Sequence, residues 1–115
     1  NGEPWFATGS PGGSRIITTV LQVLVNVMDH GMNLAEAAIA PRMHHQWYPD
    51  VLQLERGFSP DTVKLLQERG HEVKQSGSSM GSIQSVGIRD GVYRGSSDSR
   101  RPNAASSAPA ESRDQ

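Results

Sequence analysis

The chain has 115 residues, with 11 Lys+Arg against 12 Asp+Glu and a formal charge of -1. Its length suits one ordinary domain, and the charge balance argues against a nucleic-acid binder driven by bulk charge and against an acidic solvating tail. The absence of Cys excludes a disulfide scaffold, a thiolate zinc site, an iron–sulfur cluster and a cysteine nucleophile, and leaves the redox compartment open.

Pro4 to Thr8, with Trp5 and Phe6 at its centre, reads as a brief strand running into the loop Gly9-Ser10-Pro11-Gly12-Gly13. A helix beginning at Ser14 or Arg15 follows. Its apolar residues, from Ile16 to Met28, cover most of its circumference, as in a helix buried within a larger body. Asp29-His30-Gly31 supplies the stop, with Gly31 as the left-handed residue. Asn33 caps a second helix, Leu34 to Ala40, with Glu36 in the capping-box position and Pro41 ending it. Met43 to Tyr48 reads as extended, and Val51 to Glu55 alternates as a strand.

Ser59-Pro60-Asp61 starts a third helix, with a capping hydroxyl, Pro at the first position and an acid in the first turn. Val63, Leu65 and Leu66 form its expected buried stripe, and Gly70 stops it. His71 to Lys74 is expected as a strand and Ser76 to Gly81 as a flexible loop. Ser82–Arg89 and Val92–Gly95 read as two strands around the Asp90-Gly91 turn. Residues 1–98 form the expected folded part, a mixture of helix and strand. Residues 99–115 contain no Ile, Leu, Val, Met, Phe, Trp or Tyr, and read as a disordered polar tail. No segment reaches the roughly 18 apolar residues that span a bilayer. The start Asn1-Gly2-Glu3-Pro4 is neither basic nor apolar and carries no initiator Met. The expectation is therefore part of a longer polypeptide.

The segment from Thr8 to Arg15 is the most informative for chemistry. Gly12 and Gly13 let the backbone turn sharply and let a ligand approach without side-chain collision. Free N–H groups and the positive end of the helix dipole then converge, which suits a carboxylate, a phosphate or the oxyanion of a tetrahedral intermediate. The plainer alternative is a tight turn with Ser14 as helix cap. A P-loop needs Gly-Lys-Ser or Gly-Lys-Thr, and no Lys precedes Lys64; a Rossmann G-x-G-x-x-G is not supplied either. His44 and His45 are adjacent on an extended segment and point to opposite sides, so packing is favoured over a shared metal. His30 and His71 lack ligand spacing. Ser10 lacks the Gly-x-Ser-x-Gly elbow. For Arg42, a structural ion pair is favoured over a substrate carboxylate. No cofactor or metal is expected.

Several of these segments resemble the γ-glutamyltranspeptidase family, in order. They are Gly9-Ser10-Pro11-Gly12-Gly13-Ser14-Arg15-Ile16-Ile17-Thr18-Thr19, Ala40-Pro41-Arg42-Met43-His44-His45-Gln46-Trp47, Gly57-Phe58-Ser59-Pro60-Asp61, Met80-Gly81-Ser82-Ile83-Gln84-Ser85 and Gly95-Ser96-Ser97-Asp98-Ser99-Arg100. The last is near the family's Gly-Ala-Ser-Asp-Pro-Arg ending. The resemblance implies an α+β fold, here a partial N-terminal nucleophile hydrolase αββα sandwich. It implies a proenzyme that cleaves itself into a large and a small subunit, whose new N-terminal Thr attacks γ-glutamyl amides such as glutathione. The acyl group then passes to water or to an amino acid or peptide. It implies a periplasmic or secreted location. It also makes the N–H groups of Gly12 and Gly13 the oxyanion hole and substrate contact, with Pro11 holding the approach.

The departures are as specific. Residue 1 is Asn rather than Thr, and no segment matches the family's Thr-Thr-His start or its Arg-Pro-Leu-Ser-Ser-Met motif. The chain thus looks like the C-terminal part of the small subunit. Without the rest of the small subunit and the large subunit it is expected to be inactive and marginal, oligomeric or aggregation-prone. The rival readings are a non-catalytic binding or structural module from a truncated or diverged gene, and a small anion-binding module using the helix N-terminus.

Overall fold

The computed structural model describes residues 2–102 and 104–107. Nine elements follow in chain order: β1 (Phe6–Gly9), α1 (Arg15–Met28), α2 (Leu34–Ile39), β2 (Met43–His44), β3 (Leu52–Leu54), α3 (Pro60–Glu68), β4 (Val73–Gln75), β5 (Gln84–Arg89) and β6 (Val92–Ser97). They make two three-stranded sheets. One has the order β1-β5-β6, all antiparallel, with Phe6 opposite Gly87 and Gln84 opposite Ser97. The other has the order β2-β3-β4, antiparallel on one side and parallel on the other.

Local sequence explains most boundaries. Asn33 accepts from the Glu36 N–H while the Glu36 carboxylate accepts from the Asn33 N–H, both at 2.9 Å, a complete capping box. Ser59 caps α3 through the Thr62 N–H, with Pro60 at the first helical position. Asp90 and Gly91 take φ of 53° and 75°. Two successive positive φ values make the tight turn that matches strand twist in a two-residue hairpin.

The core is small. Val23, Ala37, Ala38 and Ile83 are buried together, with Phe6, Val20, Val27 and Met32 packed against them. It joins α1 and α2 to the β1-β5-β6 sheet. The rest of α1 is less covered: Ile17, Leu21 and Met28 are 75%, 56% and 63% exposed. This is the uncovered apolar face that the all-round pattern of Ile16 to Met28 led us to expect.

Several sequence expectations change, among them the extended run Met43 to Tyr48, which is strand only over Met43–His44 and turns at Trp47, whose φ is +73°. The stripe of α3 is not buried: Val63 and Leu66 are half-buried and Leu65 is exposed. This helix meets β4 at the edge of a narrow sheet, which gives its apolar side little to cover it. The segment Ser76 to Gly81 is also not uniformly loose. Met80, Gly81 and Ser82 are buried. The Met80 N–H donates to Glu55 Oε1 at 2.6 Å, and its carbonyl accepts from Arg42 Nη1 at 2.7 Å.

The expected tail starts at Ser99, yet Arg100 lies within the folded body, with its side chain 12% exposed. Residue 103 and residues 108–115 of that tail lie outside the described residues.

Candidate functional site

β1 delivers the chain to the base of α1, and the turn between them holds Gly12 and Gly13. Their φ values are +142° and +58°, the first reachable in practice only by Gly and the second left-handed. Their carbonyls accept from the N–H groups of Arg15 and Ile16, both at 3.1 Å, and so close the first turn of α1. Both glycines are exposed. Among the described residues neither glycine N–H donates to a protein acceptor. Ser14 stands at the N-cap but makes no side-chain capping bond, so the plainer reading of Ser14 as a capping serine does not hold. The Arg15 and Ile16 N–H groups are taken up by the turn, so the donors left open at this end of α1 are those of Gly12 and Gly13, where the helix dipole favours negative charge.

The turn is braced from two directions. On one side, Ser10 Oγ accepts from the Ser82 N–H at 2.9 Å and donates to the Pro11 carbonyl at 2.7 Å. Gly81 is pressed into this contact; a Cβ there would lie 2.5 Å from Ser10 Oγ and 2.9 Å from Thr19 Cγ2. On the other side, successive turns of α1 are tied to β2 and β3. Arg15 Nη2 donates to Gln53 Oε1 at 2.6 Å, and Thr18 Oγ1 pairs with His44 Nδ1 at 2.7 Å. The Gln22 amide bonds both ways with the Met43 backbone, at 2.7 and 2.8 Å. A groove of about 940 Å3 runs past Thr8, Gly9, Ser10 and Pro11 toward the turn, without reaching Gly12.

The histidines part as their spacing requires. His44 is buried between Thr18 and Gln46, while His45 pairs with Asp50 at 3.0 Å.

Arg42 is 1% exposed, and its Nη1 lies 2.7 Å from Asp98 Oδ2, the structural ion pair favoured by the sequence. The pair belongs to a larger buried network. Asp98 Oδ2 accepts from the Ile83 N–H at 2.9 Å, and Asp98 Oδ1 from the Arg100 N–H at 3.0 Å. Glu55 Oε2 accepts from the Arg42 N–H at 2.9 Å and from Arg100 Nη2 at 2.6 Å. Arg100 also donates to the carbonyls of Ala38 and Ala40, at 2.7 and 2.8 Å. The network locks the ends of α2, β3 and β6 to the segment that braces Ser10. Asp98 and Arg100 stood in the family-like ending; the residue pattern gave no sign of Glu55's role.

Burial pushes the Glu55 carboxyl up, but hydrogen bonds from Arg100 and from the Met80 and Arg42 N–H groups outweigh it and leave the pKa below its ordinary value. Asp98 is likewise pushed up by burial, and brought below its ordinary value by the Ile83 and Arg100 N–H groups and by Arg42. Desolvation lowers the Arg42 pKa. Arg100 is raised, because its bonds to Glu55 and Asp98 overcome its own burial. The two depressed carboxylates set an acid limit. A carboxylate held below its unfolded pKa stabilises the fold fully above that value, about 3.9 for Asp and 4.3 for Glu, and loses the contribution as pH falls through the lower folded value. Urea midpoints should therefore fall steadily as pH is lowered from about 5 toward 2. An unchanged midpoint over that range would contradict the assignment.

Solved chains with the same arrangement define the class of fold. A T380A mutant of Helicobacter pylori gamma-glutamyltranspeptidase matches with a TM-score of 0.82 at 42% identity, covering 88% of this chain and 56% of that one. A gamma-glutamyltranspeptidase from Pseudomonas nitroreducens complexed with L-DON gives a TM-score of 0.85 at 30% identity, covering 95% and 58%. The fold is part of an α+β N-terminal nucleophile hydrolase domain. The family model described as Gamma-glutamyltranspeptidase matches residues 1–108. The glutathione hydrolase proenzyme of Escherichia coli (strain K12) is 57% identical over 101 residues, 87% of this chain. The chain belongs to the gamma-glutamyltranspeptidase family. It spans 17% of the length of the E. coli relative.

Proposed function

We propose that this chain is the C-terminal part of the small subunit of a γ-glutamyltranspeptidase, and that it supplies the oxyanion hole. The nucleophilic Thr and the groups that hold the substrate's amino and carboxylate ends come from sequence outside residues 1–115. The Thr hydroxyl attacks the γ-glutamyl carbonyl of glutathione or a related amide. Its oxygen takes up negative charge as the carbon becomes tetrahedral, and the N–H groups of Gly12 and Gly13 donate to that oxygen. Collapse breaks the C–N bond, the departing nitrogen taking up the proton that the Thr hydroxyl gave up, and leaves a γ-glutamyl ester on Thr; water or the amine of an amino acid or peptide then attacks that ester and returns a proton to the Thr oxygen. The N–H groups stabilise charge that is largest in the transition state, so they raise the rate rather than merely the affinity. The family's periplasmic or secreted location carries over with this reading.

One observation carries the proposal: the two glycines just before α1 are exposed and, among the described residues, their N–H groups have no protein acceptor, on a turn braced by Ser82 and Gln53. Turnover of γ-glutamyl-p-nitroanilide tests it. The 115-residue chain alone should show none, whereas the polypeptide that includes its upstream sequence should be active. Turnover by the isolated chain that survives rigorous purification would overturn the division of labour. An inactive longer polypeptide would favour the non-catalytic module.

A further inference from the structure

The segment after β2 ends in two aromatic side chains that the fold does not use. Trp47 and Tyr48 are 85% and 82% exposed. Two large side chains left in water gain nothing from burial, yet the backbone beneath them is closely fixed. Trp47 has φ of +73°, the left-handed region, which costs a bulky residue roughly 1–2 kcal/mol. The surrounding bonds impose it. The Trp47 N–H donates to His45 Nδ1 at 3.1 Å, and the Tyr48 N–H to the Gln46 carbonyl at 2.9 Å. Gln46 Nε2 donates to the Tyr48 carbonyl at 3.1 Å. His45 is held in turn by Asp50, and Gln46 by the buried His44, which reaches Thr18 on α1.

An aromatic pair displayed on a pre-organised loop is the form of an interface anchor. Trp and Tyr carry large contact area at low entropic cost, and prior rigidity removes part of the cost of association. No Lys or Arg lies between His44 and Glu55, and the two cations that line the groove beside Pro49, Arg15 and Lys74, fall short of the cluster of roughly four or more that draws a segment to an anionic lipid surface. The length of the relatives names the occupant: this chain covers 17% of the E. coli proenzyme, so most of the polypeptide that such a loop could meet lies outside residues 1–115.

We propose that Trp47 and Tyr48 anchor this chain to the remaining polypeptide of the same proenzyme, in an apolar pocket with acceptors for the indole N–H and the phenol. This rests on the reading above that the chain is one part of a longer enzyme. Its test reads solvent contact and stability rather than turnover. A fluorotryptophan encoded at position 47 reports solvent through the H2O/D2O shift of its 19F resonance, with free fluorotryptophan as the exposed standard. The shift should match the standard in the 115-residue chain and be largely lost in the longer polypeptide. The double change Trp47→Ala, Tyr48→Ala should leave the urea midpoint of the 115-residue chain unchanged. In the longer polypeptide it should shift the unfolding equilibrium by roughly thirtyfold or more, the effect of losing an interface hot spot.

A full solvent shift in the longer polypeptide overturns the proposal. So does protection of Trp47 in the 115-residue chain through self-association, or protection that requires lipid vesicles. The two readings fail separately: an active enzyme with solvent-exposed Trp47 removes the anchor alone, and a protected Trp47 in an inactive protein removes the catalytic assignment alone.

Discussion

Changing Asp98 to Asn is expected to destabilise the folded chain by about 3–5 kcal/mol, the cost of leaving a buried charge without its partner. Asp98 is fully buried and accepts from Arg42, from Arg100 and from the Ile83 and Arg100 N–H groups. An Asn there keeps the shape but loses the charge, and turns an NH2 group toward at least one of these donors. Arg42 is then left buried without its counter-ion, with a buried Nε that already lacks a partner. A loss of that size is a large share of a typical domain's stability, on the order of 5–15 kcal/mol. Urea unfolding of the longer polypeptide with and without the change measures it. The exposed pair Lys64–Glu68, 3.8 Å apart, supplies the contrast: removing it should change stability by less than about 1 kcal/mol. Equal effects at the two sites would show that the buried network does not hold the fold.

The second large effect is catalytic. In the longer polypeptide, Gly12→Ala is expected to lower kcat by roughly 10²–10³, the usual consequence of losing one oxyanion donor, with a much smaller change in KM. Space is not the obstacle. A Cβ on Gly12 would lie 3.7 Å from Arg15 Cβ and 3.8 Å from Gly81 Cα, ordinary contacts. The obstacle is φ of +142°, which an L side chain does not hold without strain of about 1–3 kcal/mol. The peptide plane would rotate and aim the N–H elsewhere. Gly13 has φ of +58° and open space around its Cβ position, so Gly13→Asn should be tolerated far better. A Gly12→Ala enzyme with unchanged kcat, or a Gly13→Asn enzyme with the larger loss, would contradict this account of the turn.

Local signals were the most readable part of the sequence. The Asn33–Glu36 capping box, the Ser59-Pro60 start and the Asp90-Gly91 hairpin depend on residues within a few positions of one another, and each appears as expected. The Gly12-Gly13 turn was legible for the same reason, since its two glycines state the backbone geometry. Long-range features were not. The parallel pairing of β3 with β4 depends on α3 carrying the chain across, and nothing in three-residue strands announces the partner. Glu55 follows an alternating strand and reads as a polar residue at its end. Its burial comes from Arg42, Met80 and Arg100, up to 45 positions away. The exposed side of α3 came out differently because a helical stripe states only that a face can be buried, and this chain brings too little to cover it.

The central claim is that the backbone N–H groups of Gly12 and Gly13 meet charge that develops on the substrate carbonyl. Replacing each in turn by glycolic acid, through semisynthesis of the longer polypeptide, changes that N–H to an ester oxygen while leaving side chains untouched. The account predicts a fall in kcat of roughly 10²–10³ for each replacement, with the γ-glutamyl substrate still bound. An ester-containing enzyme that turns over γ-glutamyl-p-nitroanilide as fast as the all-amide protein would contradict it.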